Sequence, residues 1–106
     1  MRLFGFGGPR KQTPMITAEV VASVRFTTTA FREGYDSDEV DAFLARCAES
    51  IGHLEGGPAP AYPVSSDDVV QARFAPTKFR TGYDQDEVDD LLDRVAVTLR
   101  GIPPES

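Results

Sequence analysis

One segment of this chain occurs twice. Arg25-Phe26-Thr27-Thr28-Thr29-Ala30-Phe31-Arg32-Glu33-Gly34-Tyr35-Asp36-Ser37-Asp38-Glu39-Val40-Asp41 recurs 48 residues on as Arg73-Phe74-Ala75-Pro76-Thr77-Lys78-Phe79-Arg80-Thr81-Gly82-Tyr83-Asp84-Gln85-Asp86-Glu87-Val88-Asp89. The match continues without a gap through Leu44/Leu92 and Arg46/Arg94, and 14 of the 22 positions in 25–46 and 73–94 are identical. Upstream, Ile16-Thr17 aligns with Val64-Ser65 and Val21 with Val69. A repeat of this length is usually one supersecondary unit that buries its apolar face against a neighbouring copy. A chain of 106 residues has room for one small domain, or for two motifs too small to fold apart. The expected organisation is therefore a flexible arm over 1–14, a first unit over 15–54, a Gly/Pro linker over 55–62, a second unit over 63–101 and a tail over 102–106. The arm carries three Gly, two Pro and three basic residues, and Glu55-Gly56-Gly57-Pro58 cannot continue a helix.

Each unit is expected to be a short helix, a loop and a longer helix, giving an all-α fold whose long helices pack in coiled-coil fashion. Thr17 and Ser65 supply oxygen caps, and Glu19 or Asp67 and Asp68 place acids in the first turn. Val20, Val21 and Val24, with Val69, Val70 and Ala72 in the second copy, supply the apolar side. The longer helix carries a fuller start signal. Asp36 and Asp84 are the caps, with Glu39 and Glu87 three residues on in a capping-box arrangement. Tyr35 with Val40, and Tyr83 with Val88, have the spacing of a hydrophobic staple. Gly34 and Gly82 suit a turn with positive φ. Downstream, Val40, Phe43, Leu44, Cys47, Ile51 and Leu54 fall on one helical stripe, and Val88, Leu91, Leu92, Val95 and Leu99 form its counterpart. Cys47 aligns with Val95, which implies a small buried apolar residue rather than a reactive thiol.

Several function classes fall away on composition. A net charge of −6 argues against nucleic acid as a partner. No apolar run approaches the ~20 residues of a transmembrane helix. One Cys and one His leave no internal disulfide and few metal or nucleophile constellations. Asp36, Asp38 and Asp41 have a calcium-like spacing, but no Gly follows at the sixth position of such a loop and no Glu at the twelfth. Capping already explains the repeated polar cluster, so neither an enzyme, a metal nor a cofactor is expected.

The pattern Phe-x-x-x-x-Phe-Arg-x-Gly-Tyr-Asp-x-Asp-Glu-Val-Asp-x-Phe/Leu-Leu resembles the N-terminal domain of DivIVA, the bacterial cell-division and polar-growth scaffold. It is similar above all to short actinobacterial-type proteins that repeat this domain. The resemblance covers residues 15–54 and 63–100. It implies a coiled-coil domain whose loops present a Phe and an adjacent Arg to the membrane, at positions matching Phe31-Arg32 and Phe79-Arg80. It implies a non-enzymatic adaptor in cell division or polar growth, cytoplasmic or peripheral at the inner face of the cell membrane. Its expected partners are an anionic membrane surface and a DivIVA-type division protein. The sequence adds one residue between Arg and Gly relative to the family pattern, Glu33 in one copy and Thr81 in the other, and Glu33 sets a negative charge beside the first tip.

The physics of such a tip is sound. A Phe buried in the headgroup boundary contributes about 1.5–3 kcal/mol, and an Arg near an anionic surface adds roughly 1 kcal/mol. Arg25, Arg73 and Lys78 would thicken the basic patch. Phe26 and Phe74 are expected in the core, whereas Phe31 and Phe79 fit either core or tip. A different class of function is a soluble helical module that binds a coiled-coil partner through the two stripes without touching lipid. The units can pair within one chain or through a homodimer. A helix over 37–54 spans about 27 Å, and residues 55–63 reach about 30 Å when extended, so parallel and antiparallel long helices are both open.

Overall fold

Thr17 and Ser65 start the two short helices, as their oxygen caps imply. In the computed structural model, which describes residues 15–101, helix α1 spans Ala18–Ser23 and helix α3 spans Ser66–Gln71. The expected arm 1–14 and tail 102–106 lie outside the described residues. Thr17 accepts a hydrogen bond from the Val20 amide, and Ser65 and Asp68 close a full capping box. The long helices follow, α2 over Ser37–Leu54 and α4 over Gln85–Arg100, each capped by an Asp side chain that accepts from the N3 amide. Gly56 at φ 102 ends α2 and Gly101 at φ 69 ends α4, both in the left-handed region that glycine enters freely.

The segments between the helices overturn the all-α expectation. Strands β1 (Thr28–Thr29), β2 (Gly34–Tyr35), β3 (Pro76–Thr77) and β4 (Gly82–Asp84) form a four-stranded antiparallel sheet in the order β1-β4-β2-β3. The fold is mixed α and β. Each of these four strands has only two or three residues, so neither unit alone could make a sheet. Each strand of one repeat pairs with a strand of the other: Thr28 with Tyr83, Thr29 with Gly82, Tyr35 with Pro76 and Gly34 with Thr77. The β-branched run Thr27-Thr28-Thr29 favours extended backbone. Pro76 sits on an edge strand, where a missing N–H is tolerated.

The register contains an approximate twofold axis. Tyr35 pairs with Tyr83 at the sheet centre, and each flanking pair maps onto its equivalent 48 residues away. Two antiparallel neighbours are related only by an axis perpendicular to the sheet, so both long helices leave on the same face. At their other ends Ile51 and Leu54 of α2, and Thr98 and Gly101 of α4, border one pocket with Met15 and Ile16. The long helices therefore run in the same direction.

Coiled-coil packing of α2 on α4 is also corrected. Each long helix packs most extensively on the short helix of its own repeat, and α2 meets α4 less extensively. The linker does not span the length of α2, because the Val64 amide donates to Ser50 Oγ at 2.9 Å and starts the second unit beside the end of the first. Its symmetry mate is the Ile16 amide donating to Thr98 Oγ1 at 2.8 Å.

The core holds Val21, Val40, Leu44, Cys47, Ile51, Val69, Val88, Leu91, Leu92 and Val95, with Ile16, Val64 and Ala96. Phe43 and Leu99 are partly buried against it, as are Phe26 and Phe74. Leu54, Val20 and Val70, placed on apolar faces by their spacing, are exposed. Burial pushes the Cys47 thiol up to about 12.

Candidate functional site

Cross-repeat hydrogen bonds hold the sheet end of the molecule together. The Ala75 amide donates to Glu39 Oε1 at 2.7 Å, and the Thr27 amide to Glu87 Oε1 at 2.8 Å. The expected capping box is thus half made. Asp36 caps its own helix, but Glu39 reaches the opposite repeat instead of the cap amide, which itself donates to the Ala75 carbonyl at 2.9 Å. Asp84 repeats this with the Thr27 carbonyl at 2.9 Å. The Tyr35 hydroxyl donates to Asp89 and the Tyr83 hydroxyl to Asp41, each at 2.9 Å. The rings pack on the phenylalanines of the opposite repeat, Tyr35 5.4 Å from Phe74 and Tyr83 5.0 Å from Phe26.

Gly34 and Gly82 have a different role from the expected one. Neither has positive φ; what they allow is close approach of backbones. A Cβ on Gly34 would lie 2.7 Å from the Tyr83 carbonyl oxygen, and one on Gly82 would lie 2.8 Å from the Tyr35 carbonyl oxygen and collide with Thr77 Oγ1. Thr77 is fully buried there, and its hydroxyl has no hydrogen-bond partner among the described residues.

This arrangement dictates the loop paths. β1 and β2 both run antiparallel to β4, which lies between them, so residues 30–33 must pass β4 to join them. Residues 78–81 pass β2 in the same way. The twofold axis sets the two loops side by side where both long helices begin. At this end Phe31 is 99% exposed and Phe79 84% exposed. Of the two readings open for these rings, the structure takes the exposed one.

Each loop arginine turns back to the cap of the opposite repeat. Arg32 Nη2 pairs with Asp84, and Arg80 Nη2 lies 3.4 Å from Asp36. The Glu39 backbone N–H is the main cause that lowers the Asp36 carboxyl below its ordinary value; partial desolvation opposes it and Arg80 adds to it. Lys78 Nζ stands 5.9 Å from the Phe79 ring centroid. Arg25 and Arg73 sit elsewhere, lining grooves between the short and long helices, so of the three extra basic residues only Lys78 joins the tips. Asp41, Asp89 and the inward reach of Glu39 and Glu87 escape sequence reasoning, although their recurrence at an offset of 48 is a signal for them.

The end of the molecule thus offers two exposed aromatic rings, two half-exposed guanidinium groups and one ammonium group. Among the described residues no cluster of His, Cys, Asp and Glu has metal-site geometry, and no helix is long and apolar enough to cross a membrane. No family model, no curated protein and no solved structure matches the chain.

Proposed function

We propose that the chain is a non-enzymatic, DivIVA-domain-like adaptor of bacterial cell division or polar growth that rests on an anionic membrane surface through Phe31, Arg32, Phe79 and Arg80. The exposure of both phenylalanines carries this reading. A large ring held in water by its fold contributes nothing to the core, whereas in a headgroup boundary it buries apolar area worth about 1.5–3 kcal/mol. One such anchor is weak, and a pair presented on one side multiplies through effective concentration. Arginine beside each ring adds positive charge at this end, and Arg80, whose partner Asp36 is the more exposed, is the freer to donate to phosphate.

The soluble-module reading relied on the stripes over Val40–Leu54 and Val88–Leu99. Most of these side chains are already buried within the chain, which favours the tips as the contact surface. Sedimentation with vesicles of phosphatidylglycerol and phosphatidylcholine tests the reading. Phe79→Glu combined with Arg80→Ala abolishes binding and leaves the circular dichroism spectrum unchanged. Equal binding by that variant, its unfolding, or indifference of the wild-type chain to such vesicles would each overturn it.

A further inference from the structure

The loops related by the twofold axis are not equivalent, and the structure assigns them different tasks. Resting on the membrane reading above, we infer that the second loop, Lys78-Phe79-Arg80, is the main contact with anionic phospholipid, and that Arg32 of the first loop chiefly clips the fold together.

Charge is the first difference. Lys78 and Arg80 give the second loop two cationic groups around Phe79, whereas in the first loop Ala30 replaces the lysine and Glu33 offsets Arg32. An anionic surface therefore attracts the second loop and is nearly indifferent to the first.

The fate of the arginines is the second. Arg32 pairs with Asp84, whose side chain is only 9% exposed; removing the guanidinium would leave this nearly buried carboxylate with the Glu87 amide and little water. Arg80 lies 3.4 Å from Asp36, whose side chain is 23% exposed; each carboxylate also accepts from its own helix amide at 3.1 Å, so access to water is what separates the two. Water and the helix amide can satisfy Asp36 when Arg80 turns to a phosphate. Arg32 has no such freedom.

Backbone strain is the third. Phe79 has φ 63, and it is the one non-glycine among the described residues with positive φ. A bulky side chain is a real outlier there, because its Cβ crowds the following carbonyl oxygen. Phe79 offsets none of that crowding through burial. Strained backbone conformations cluster at ligand-contact positions, and an exposed aromatic residue held in one fits such a role. Phe31, its counterpart, has no such strain.

The experiment combines vesicle sedimentation with thermal unfolding on the full chain. With phosphatidylglycerol-containing vesicles, Arg80→Ala and Lys78→Ala each weaken binding about fivefold at an unchanged Tm. Phe79→Gly weakens it more than tenfold, and its Tm holds or rises because glycine accepts the left-handed backbone. Arg32→Ala lowers Tm by several degrees and weakens binding only about twofold. If that variant is too unstable to assay, Phe31→Ala reports on the first loop with a loss of about threefold or less. Equal losses from the two loops, or an unchanged Tm in Arg32→Ala, would overturn the division of tasks while leaving the membrane reading intact. Failure of the wild-type chain to bind any anionic vesicle would instead remove the membrane reading, and the lipid half of this inference with it.

Discussion

Tyr35 and Tyr83 are register partners at the centre of the sheet, and each hydroxyl donates across the twofold axis, Tyr35 to Asp89 and Tyr83 to Asp41, at 2.9 Å. Burial is the first cause that raises both phenols above their ordinary value, and the hydrogen bond to a carboxylate, whose charge opposes a phenolate, adds to it. A phenol pKa raised in the folded state gives stability that is complete below the unfolded value, about 10, and is lost as pH rises through the folded value. With Tyr62→Phe removing the exposed third tyrosine, absorbance at 295 nm should show both remaining phenols titrating above their values in denaturant. Titration at the denatured value would dismiss the cross-repeat bonds.

Glu39 serves the opposite repeat more than its own helix. Substituting alanine should expose the Ala75 amide, 36 residues away, to rapid hydrogen exchange, with a stability loss of about 1 kcal/mol. Glu87→Ala should do the same to the Thr27 amide. A closed capping box would instead deprotect the Asp36 amide and leave Ala75 unaffected.

The sheet glycines and the helix glycine should respond in opposite directions. Gly34→Ala and Gly82→Ala press a Cβ against backbone carbonyls that cannot yield, at a cost of about 2 kcal/mol or more. Gly52→Ala lies inside α2 with the Ala18 Cβ 3.8 Å away, an ordinary contact, and should gain about 0.5–1 kcal/mol. Urea denaturation of the three variants measures the contrast. A tolerated Gly82→Ala would mean that the strands lie further apart than described.

Cys47 is fully buried, and its thiol is pushed up to about 12, chiefly by desolvation. It should resist a thiol reagent such as dithionitrobenzoate in the native chain and react at once in denaturant. Cys47→Val, which copies Val95, should leave Tm within a few degrees. Rapid native labelling would place this residue outside the core.

Helices were the legible part of this chain, because their signals are local. Ser65 with Asp68, Asp36 with the Glu39 amide, and apolar residues at spacings of three and four each lie within one or two turns. The sheet was hidden because its partners lie about 50 residues apart and its strands are two or three residues long, too short for alternation to show. Glu39 illustrates the same limit. Its position three residues after a cap predicts a bond to its own helix, and only tertiary structure supplies the competing amide of Ala75. At the tips the residue pattern left Phe31 and Phe79 open between core and solvent, because exposure of a ring depends on where the loop runs, and the loop path is set by interdigitated strands. The strain at Phe79 has no sequence signature at all.

A fluorescent reporter shows directly which end of the molecule meets lipid. The chain has no tryptophan, so Phe79→Trp introduces a single reporter that keeps an aromatic ring at the second loop. On vesicles containing phosphatidylglycerol and brominated lipid, its emission should shift to the blue and be quenched. Leu54→Trp, at the far end of α2, should show neither change. Quenching at Leu54, or an unshifted spectrum from Trp at position 79, would contradict the proposed orientation.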